Sequence, residues 1–387
     1  MKKIAVVLPS MQGGGCERAV SLLLPVLVKR FQISLILHEA RINYEIPSEV
    51  EIIDLKGDIS AEHSILFKIK RFFNRIFILR KVLKERSFDL VFSFIDLNNV
   101  TSYIAWRLAG SQCKFCCTEQ TLCKEFFDNN QMANNKQYLM KLLISYVYKR
   151  ASRVVLLSHS MESYLSSEFN IKRDFDVIYN GIDKEVFNRV GETELGLTLE
   201  EIFMKAPMRF INIGRLDVCQ KNQEFLIRLF PKIKETYPEV QLFFLGEGEN
   251  RPVLEDLISE LNLDETVHLL GWKNDLAAYM RHADLLLHCA YYETFGNVLI
   301  ETIATGTPVV TTNCNAVIPE ILQKGEYGYI VESYDELEYL NAINAAMKKK
   351  DDENYSQKIS DYARTKFAIE HIQAEYLKLC NEVIYRE

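Results

Sequence analysis

Short apolar runs alternate along this chain with longer stretches in which apolar residues recur every three or four positions, the two periods of buried strands and amphipathic helices. In the first half the strand-like runs are Ile4 to Leu8, Ile33 to Leu37, Leu90 to Phe94, Lys114 to Cys117 and Val154 to Leu157. A turn sequence, Ile178-Tyr179-Asn180-Gly181-Ile182-Asp183, interrupts the series. It resumes with Met208 to Ile213, Val240 to Leu245, Val267 to Leu269, Leu285 to His288 and Val309 to Thr311. Strand and helix signals alternating almost throughout predict α/β architecture with parallel sheets. The interruption predicts two doubly wound, Rossmann-like domains, 1–180 and 181–366, facing each other across a cleft that holds the ligand. The terminal segment 367–387 is expected to pack back on the first domain.

Composition narrows the class. At 387 residues the chain has the length of two domains, and 48% apolar with 26% charged residues is ordinary for a globular protein. A net charge of −7 argues against a nucleic-acid partner. Nine cysteines without framework spacing fit a reducing compartment. No apolar run reaches the roughly 18–20 residues that span a bilayer, and Ile4 to Leu8 is too short for a signal peptide. The expectation is a cytoplasmic, unprocessed protein.

The densest chemistry lies in Tyr291-Tyr292-Glu293-Thr294-Phe295-Gly296-Asn297-Val298-Leu299-Ile300-Glu301. Glu293 follows a predicted strand, at the sheet end where open α/β sheets bind ligands. Phe295, Gly296, Asn297 and Val298 lie where the next helix begins, whose N–H groups suit phosphate or sugar oxygens. Glu301 is one to two turns further on. A helix cap and a solvated glutamate are the plainer reading. Upstream, Gly214-Arg215-Leu216 with Lys221 puts a guanidinium and an ammonium beyond a strand, enough to neutralise a diphosphate, although two surface cations would read the same. Gly246-Glu247-Gly248 is a tight strand-to-helix turn, and Trp272-Lys273 follows another strand, where the indole would lie near a base or be buried structurally. Near the start, Gly13-Gly14-Gly15 leads a strand into a helix, but neither the dinucleotide fingerprint nor a P-loop is present.

These segments, in this order, resemble family 4 glycosyltransferases of the GT-B fold: Gly14-Gly15-x-Glu17-Arg18, Ile178 to Asp183, Gly214-Arg215-Leu216 with Lys221-Asn222, Gly246-Glu247-Gly248, and Glu293 with Glu301. Within the family, Gly13 to Val20 with Tyr44-Glu45-Ile46-Pro47 is most similar to bacterial N-acetylgalactosaminyltransferases that extend polyprenyl-diphosphate-linked glycans. The resemblance implies retaining transfer from a nucleotide-sugar donor, a UDP-sugar, to a lipid-linked glycan acceptor, without metal or other cofactor. It implies that Arg215 and Lys221 bind the donor diphosphate, Glu293 holds the donor sugar, Glu301 the ribose, and Gly14 and Gly15 line the donor phosphate's approach. One departure stands out. Relatives often carry a histidine after the strand corresponding to Phe115-Cys116-Cys117, whereas here Glu119 or Gln120 must serve.

Leu66 to Arg86 holds eight Lys or Arg residues against one Glu, interleaved with phenylalanines. On a helix, Lys68, Arg71, Arg75 and Lys84 would present charge to an anionic membrane surface or to a lipid diphosphate, placing the protein on the inner face of the cell membrane. Packing of the same helix on the sheet with a solvated basic face is the alternative. Cys113-x2-Cys116-Cys117 with Cys123 lacks a second zinc ligand pair and reads as buried thiols. Asp174-Phe175-Asp176 imitates a metal-binding pair, and His288 reads as core or wall. Two rival functions remain at this level: a silent nucleotide-sugar-binding protein, and a nucleotide-sugar epimerase on a similar fold. A dehydrogenase fails on glycine spacing.

Overall fold

The structure, a computed structural model, describes residues 1–12, 14–56, 65–120, 134–183, 199–273 and 275–385, with side chains at 65–69 and 134–136 outside the description. Its chain divides into two compact units, Met1–Gly181 with Ile369–Glu387, and Ile182–Ala368.

The first unit runs β1 (Lys3–Leu8), α1 (Gly15–Leu27), β2 (Gln32–Leu37), β3 (Glu51–Asp54), α2 (Ile65–Glu85), β4 (Leu90–Phe94), α3 (Asp96–Ala109), β5 (Lys114–Glu119), α4 (Asn134–Tyr148), β6 (Arg153–Leu156), α5 (His159–Glu168) and β7 (Asp176–Val177). Its sheet has the order β3-β2-β1-β4-β5-β6-β7, and every pairing is parallel. The second runs α6 (Glu201–Lys205), β8 (Met208–Ile213), α7 (Gln223–Thr236), β9 (Val240–Leu245), α8 (Arg251–Glu260), β10 (Val267–Gly271), α9 (Leu276–His282), β11 (Leu285–His288), α10 (Asn297–Ala304), β12 (Val309–Thr312), α11 (Val317–Ile321), β13 (Tyr329–Val331), α12 (Glu336–Met347) and α13 (Glu353–Lys366). Its strands lie in the order β10-β9-β8-β11-β12-β13, again all parallel.

The continuous apolar runs became strands because helices cover both faces of a parallel sheet. β4 and β11 are buried at every position. The helices bury single stripes instead. Val20, Leu23, Leu24 and Leu27 of α1 follow the three-four spacing and join the first sheet's core. The last helix, α14 (Ile369–Tyr385), returns to the first unit and adds Ile372, Tyr376, Leu379 and Val383 to that core. The Gln373 side chain donates to the Leu22 carbonyl at 2.6 Å, tying α14 to α1.

Three strands escape the sequence pattern: β3, β7 and β13. All are short and lie at a sheet edge, and β3 is exposed at three of its four positions, so none carries an apolar run long enough to register. Tyr376 is 3% exposed, its ring 6.0 Å from that of Phe92. Tyr376→Ala is expected to cost about 3–4 kcal/mol of stability. Denaturant unfolding checks this; a loss below about 1 kcal/mol would mean that α14 is not part of the core.

Candidate active site

Strand order in the second unit reverses between β8 and β11. At such a switch point the chain leaves the two strands toward opposite sides, opening a crevice at their carboxyl ends. The segments after β8 and β11 carry Arg215, Lys221 and Glu293, and the structure brings their loops together. The Tyr291 amide donates to the Gln220 carbonyl at 2.8 Å, and the Cys289 thiol lies 3.3 and 3.1 Å from the Lys221 and Asn222 carbonyls.

Glu293 is the centre of the arrangement and is 6% exposed. The Lys221 ammonium donates to its Oε1, and His288 Nε2 lies 2.9 Å from the same oxygen. Burial alone would push this carboxyl up, but the Lys221 charge and the His288 hydrogen bond outweigh it and hold the group at about 2. Among the described residues no donor is bonded to Oε2. The Asn315 side chain donates to the Glu293 carbonyl, holding the loop itself.

Arg215 is more open. Its Nη2 donates to Asp217 Oδ2 at 2.9 Å and Gln220 Oε1 at 3.0 Å, while the buried Gln223 donates to its carbonyl at 2.7 Å. Gly246 and Gly248 serve this loop. A Cβ on Gly246 would drive into the Gly214 carbonyl, and one on Gly248 into the Leu216 backbone. Their absence lets Gly214 N–H reach the Leu245 carbonyl at 3.0 Å and Leu216 N–H the Glu247 carbonyl at 3.1 Å. The Gly-x-Gly turn therefore supports the arginine loop through backbone contact.

Downstream, Gly296 at φ 86° turns the chain into α10, whose first turn contains Asn297 and Val298. Phe295 is 2% exposed and packs toward Phe367, so its side chain belongs to the core. Glu301 is buried on α10. Trp272 is 68% exposed, which removes the buried structural reading, and the Lys273 ammonium pairs with Glu200.

In the first unit, Gly14 is joined to Tyr44: its N–H lies 3.3 Å and its carbonyl 3.2 Å from the hydroxyl, while Gly15 opens α1. Glu119 is fully buried and accepts a hydrogen bond from Tyr148 of α4; Gln120 beside it is 5% exposed. The pair thus sits inside the unit rather than on its surface.

The basic helix needs correction. α2 buries Ile76, Leu79 and Leu83 against the fold. Arg75, expected on the outer charged face, is half-buried with its guanidinium near His38, which burial first and Arg75 second push down to about 4. Arg71 is half-buried too, and the Lys68 side chain lies outside the described residues. The helix turns outward a stripe of Lys70, Phe73, Asn74, Phe77, Lys81 and Lys84 instead, with Phe73 and Phe77 more than half exposed. The other metal candidates have structural partners. Arg153 grips both oxygens of Asp176, and Cys116 and Cys117 are buried on β5, with Cys123 outside the described residues. Among the described residues no group of His, Cys, Asp and Glu is arranged to hold a metal ion.

Two site features were missed in the sequence. His288 reads in the sequence as core or wall, and it is buried, but a histidine ending a Leu-Leu-Leu run is also a polar group that needs partners. Asp217 and Gln220 carried no signal, because their role depends on how the loop folds back on Arg215.

Residues 202–366 match the family model described as Glycosyl transferases group 1, and residues 13–186 the one described as Glycosyltransferase Family 4. The chain is 32% identical over 333 residues, 86% of each protein, to N-acetylgalactosamine-N,N'-diacetylbacillosaminyl-diphospho-undecaprenol 4-alpha-N-acetylgalactosaminyltransferase from Campylobacter jejuni. A second Campylobacter jejuni protein, GalNAc-alpha-(1->4)-GalNAc-alpha-(1->3)-diNAcBac-PP-undecaprenol alpha-1,4-N-acetyl-D-galactosaminyltransferase, is 24% identical, with 99% of each chain covered. Among solved structures, sucrose-phosphate synthase from Thermosynechococcus elongatus superposes with TM-score 0.81 at 18% identity, both chains fully covered. Anabaena HepE in complex with UDP gives 0.71 at 18% identity, covering 99% of this chain and 100% of HepE. At those identities the structural likeness establishes the GT-B fold alone.

A carboxylate held below its ordinary value of 4.5, at about 2, contributes stability that is complete above about pH 4.5 and lost as pH falls toward 2. Glu293→Gln is therefore expected to flatten the dependence of urea midpoint on pH between roughly 5 and 2. An unchanged slope would show that Glu293 is not ion-paired in the folded protein.

Proposed function

This chain belongs to glycosyltransferase family 4, and on that premise we propose that it transfers a sugar, with retention at the anomeric carbon, from a UDP-sugar to a polyprenyl-diphosphate-linked glycan. N-acetylgalactosamine is the first donor sugar to test, since both Campylobacter relatives are named for transferring it to undecaprenol-linked glycans; another hexose is the alternative. The observation that carries the reading is the Lys221–Glu293 ion pair at the β8/β11 switch point, with Arg215 on the same loop as Lys221.

The chemistry follows from charge. Breaking the bond between sugar and diphosphate builds negative charge on the leaving group, and preorganised cations in a site of low dielectric lower that barrier. Arg215 is held by Asp217 and Gln220 on the loop that also carries Lys221. Lys221 is parked on Glu293 and has a short distance to travel to a diphosphate arriving beside it. Glu293 then presents its open Oε2 to the hydroxyls of the donor sugar, Glu301 holds the ribose, and amides at the start of α10 meet anionic or hydroxyl oxygens. In a retaining reaction of this kind the acceptor approaches from the leaving-group face and a diphosphate oxygen takes its proton, so no protein base and no metal is called for.

An acceptor anchored in lipid requires the enzyme to work at a bilayer. Among the described residues no helix is long and apolar enough to cross one. The outward stripe of α2 supplies another means of attachment: two exposed phenylalanines flanked by three lysines, suited to the headgroup layer of an anionic, cytoplasmic membrane face.

A panel of UDP- and GDP-sugars with an added lipid-diphosphate glycan identifies the donor; labelled product on the acceptor supports transfer, whereas isomerised free donor or binding without turnover would support the rival readings. With that donor, Arg215→Ala and Lys221→Ala are each expected to lower turnover roughly 10²–10³-fold, and near-normal turnover in the double variant would remove their role. Sedimentation with anionic vesicles should fall at least several-fold when Lys70, Lys81 and Lys84 are changed together to Glu and Phe73 and Phe77 to Ser. Unchanged sedimentation would exclude α2 as the membrane contact.

A further inference from the structure

We propose that His288 is a positioning residue of the donor site, which keeps the Glu293 carboxylate aimed and ionised once Lys221 turns to the donor diphosphate. The proposal rests on the reading of Glu293 as the group that holds the donor sugar.

His288 ends β11, a central strand whose other residues are Leu285, Leu286 and Leu287, all buried. An imidazole there, 2% exposed, is costly unless its nitrogens find partners. Both do. The register of β11 against β12 pairs His288 with Thr311, and Nδ1 lies 2.8 Å from the Thr311 hydroxyl. Nε2 lies 2.9 Å from Glu293 Oε1. A carboxylate only accepts, so Nε2 carries a hydrogen and donates it to Glu293. The Thr311 hydroxyl has one hydrogen, placed between Nδ1 and the Thr312 carbonyl 3.1 Å away; whichever it serves, the Nε2–H remains directed at the carboxylate. The backbone is held as well, because the Tyr339 hydroxyl donates to the His288 carbonyl at 3.0 Å. The ring thus has a fixed strand beneath it, a hydroxyl that sets its rotation, and one outlet, toward Glu293.

This matters because Lys221 is asked to do two things. Its ammonium is on Glu293 Oε1. When it moves to a diphosphate, Glu293 remains buried with its main counter-charge withdrawn, and a buried carboxylate without partners takes up a proton or swings away. A protonated Glu293 would turn one oxygen into an O–H donor and accept fewer hydrogen bonds from sugar hydroxyls. The His288 Nε2–H bond does not depend on Lys221. It falls on Oε1, so Oε2 stays available to the donor sugar when Lys221 has left. Arg215 lies on the neighbouring loop and bonds neither group, so it offers no substitute.

The test uses the full chain and the UDP-sugar identified as donor, with UDP as the sugarless probe. His288→Leu is expected to raise KM for the UDP-sugar and lower kcat, together roughly 10–100-fold in kcat/KM, the range typical of lost outer hydrogen bonds to a site ligand. UDP affinity should stay within about twofold, because UDP lacks the sugar that Glu293 holds. His288→Gln, whose side-chain amide is again a donor, should recover much of the loss. Thr311→Val, which removes only the hydroxyl at Nδ1, should show the same pattern more weakly and serves if His288→Leu does not fold. The proposal is overturned if His288→Leu matches the unaltered protein, or if UDP and UDP-sugar affinity fall in equal proportion, the mark of general structural damage. Glu293→Gln is the reference. If it transfers normally, the sugar-holding role of Glu293 fails and takes the proposal with it. If it is impaired while folded His288→Leu and Thr311→Val are not, only the role of His288 falls.

Discussion

A carboxylate buried at the end of a parallel sheet persists only if something answers its charge, and at Glu293 that answer organises the second unit's site. Lys221 supplies the opposite charge and His288 a hydrogen bond, both on one oxygen. The other features follow from keeping these three groups within reach. The loop after β8 must return to the loop after β11, which it does through Tyr291, Gln220 and Cys289. That loop is in turn pressed against the turn after β9, where only glycine fits at 246 and 248. Remote glycines and central charges are therefore one mechanical system.

The same dependence explains why the site is assembled at β8 and β11. These strands start the two outward-winding halves of the sheet, so their carboxyl ends are the place where connecting helices part. Glu293 and Lys221 there are largely enclosed, whereas Arg215 stands in solvent. Burial strengthens electrostatics. A charged pair placed at an edge strand would be screened by water and worth little.

In the first unit the equivalent sheet end is built differently. Gly14 is held by Tyr44, while Glu119 is drawn inward by Tyr148 and does not stand at the surface. α2 divides its residues by the helical period: Ile76, Leu79 and Leu83 inward, Lys70, Phe73 and Phe77 outward. Two phenylalanines on an outer face cost hydrophobic burial, which a bilayer headgroup layer would return.

Alternation of apolar runs with amphipathic stretches was enough for the two α/β halves, for most strands within a residue or two, and for the order in which Arg215, Lys221, Glu293 and Glu301 occur. Those properties are local: they depend on the period of burial along a segment and on the residues that flank a strand's end. Edge strands β3, β7 and β13 left no such trace, being too short to show a period. Direction around a helix was also beyond the sequence. Arg75 and Phe77 are two residues apart, and only tertiary packing decided that the arginine lies half-buried near His38 and the phenylalanine outward. For the same reason Lys221 and Glu293 could be read separately but not as a pair, and His288 could not be read as their third member. Seventy-two positions separate the lysine from the glutamate, and their meeting depends on strand order in the sheet, which no local pattern encodes.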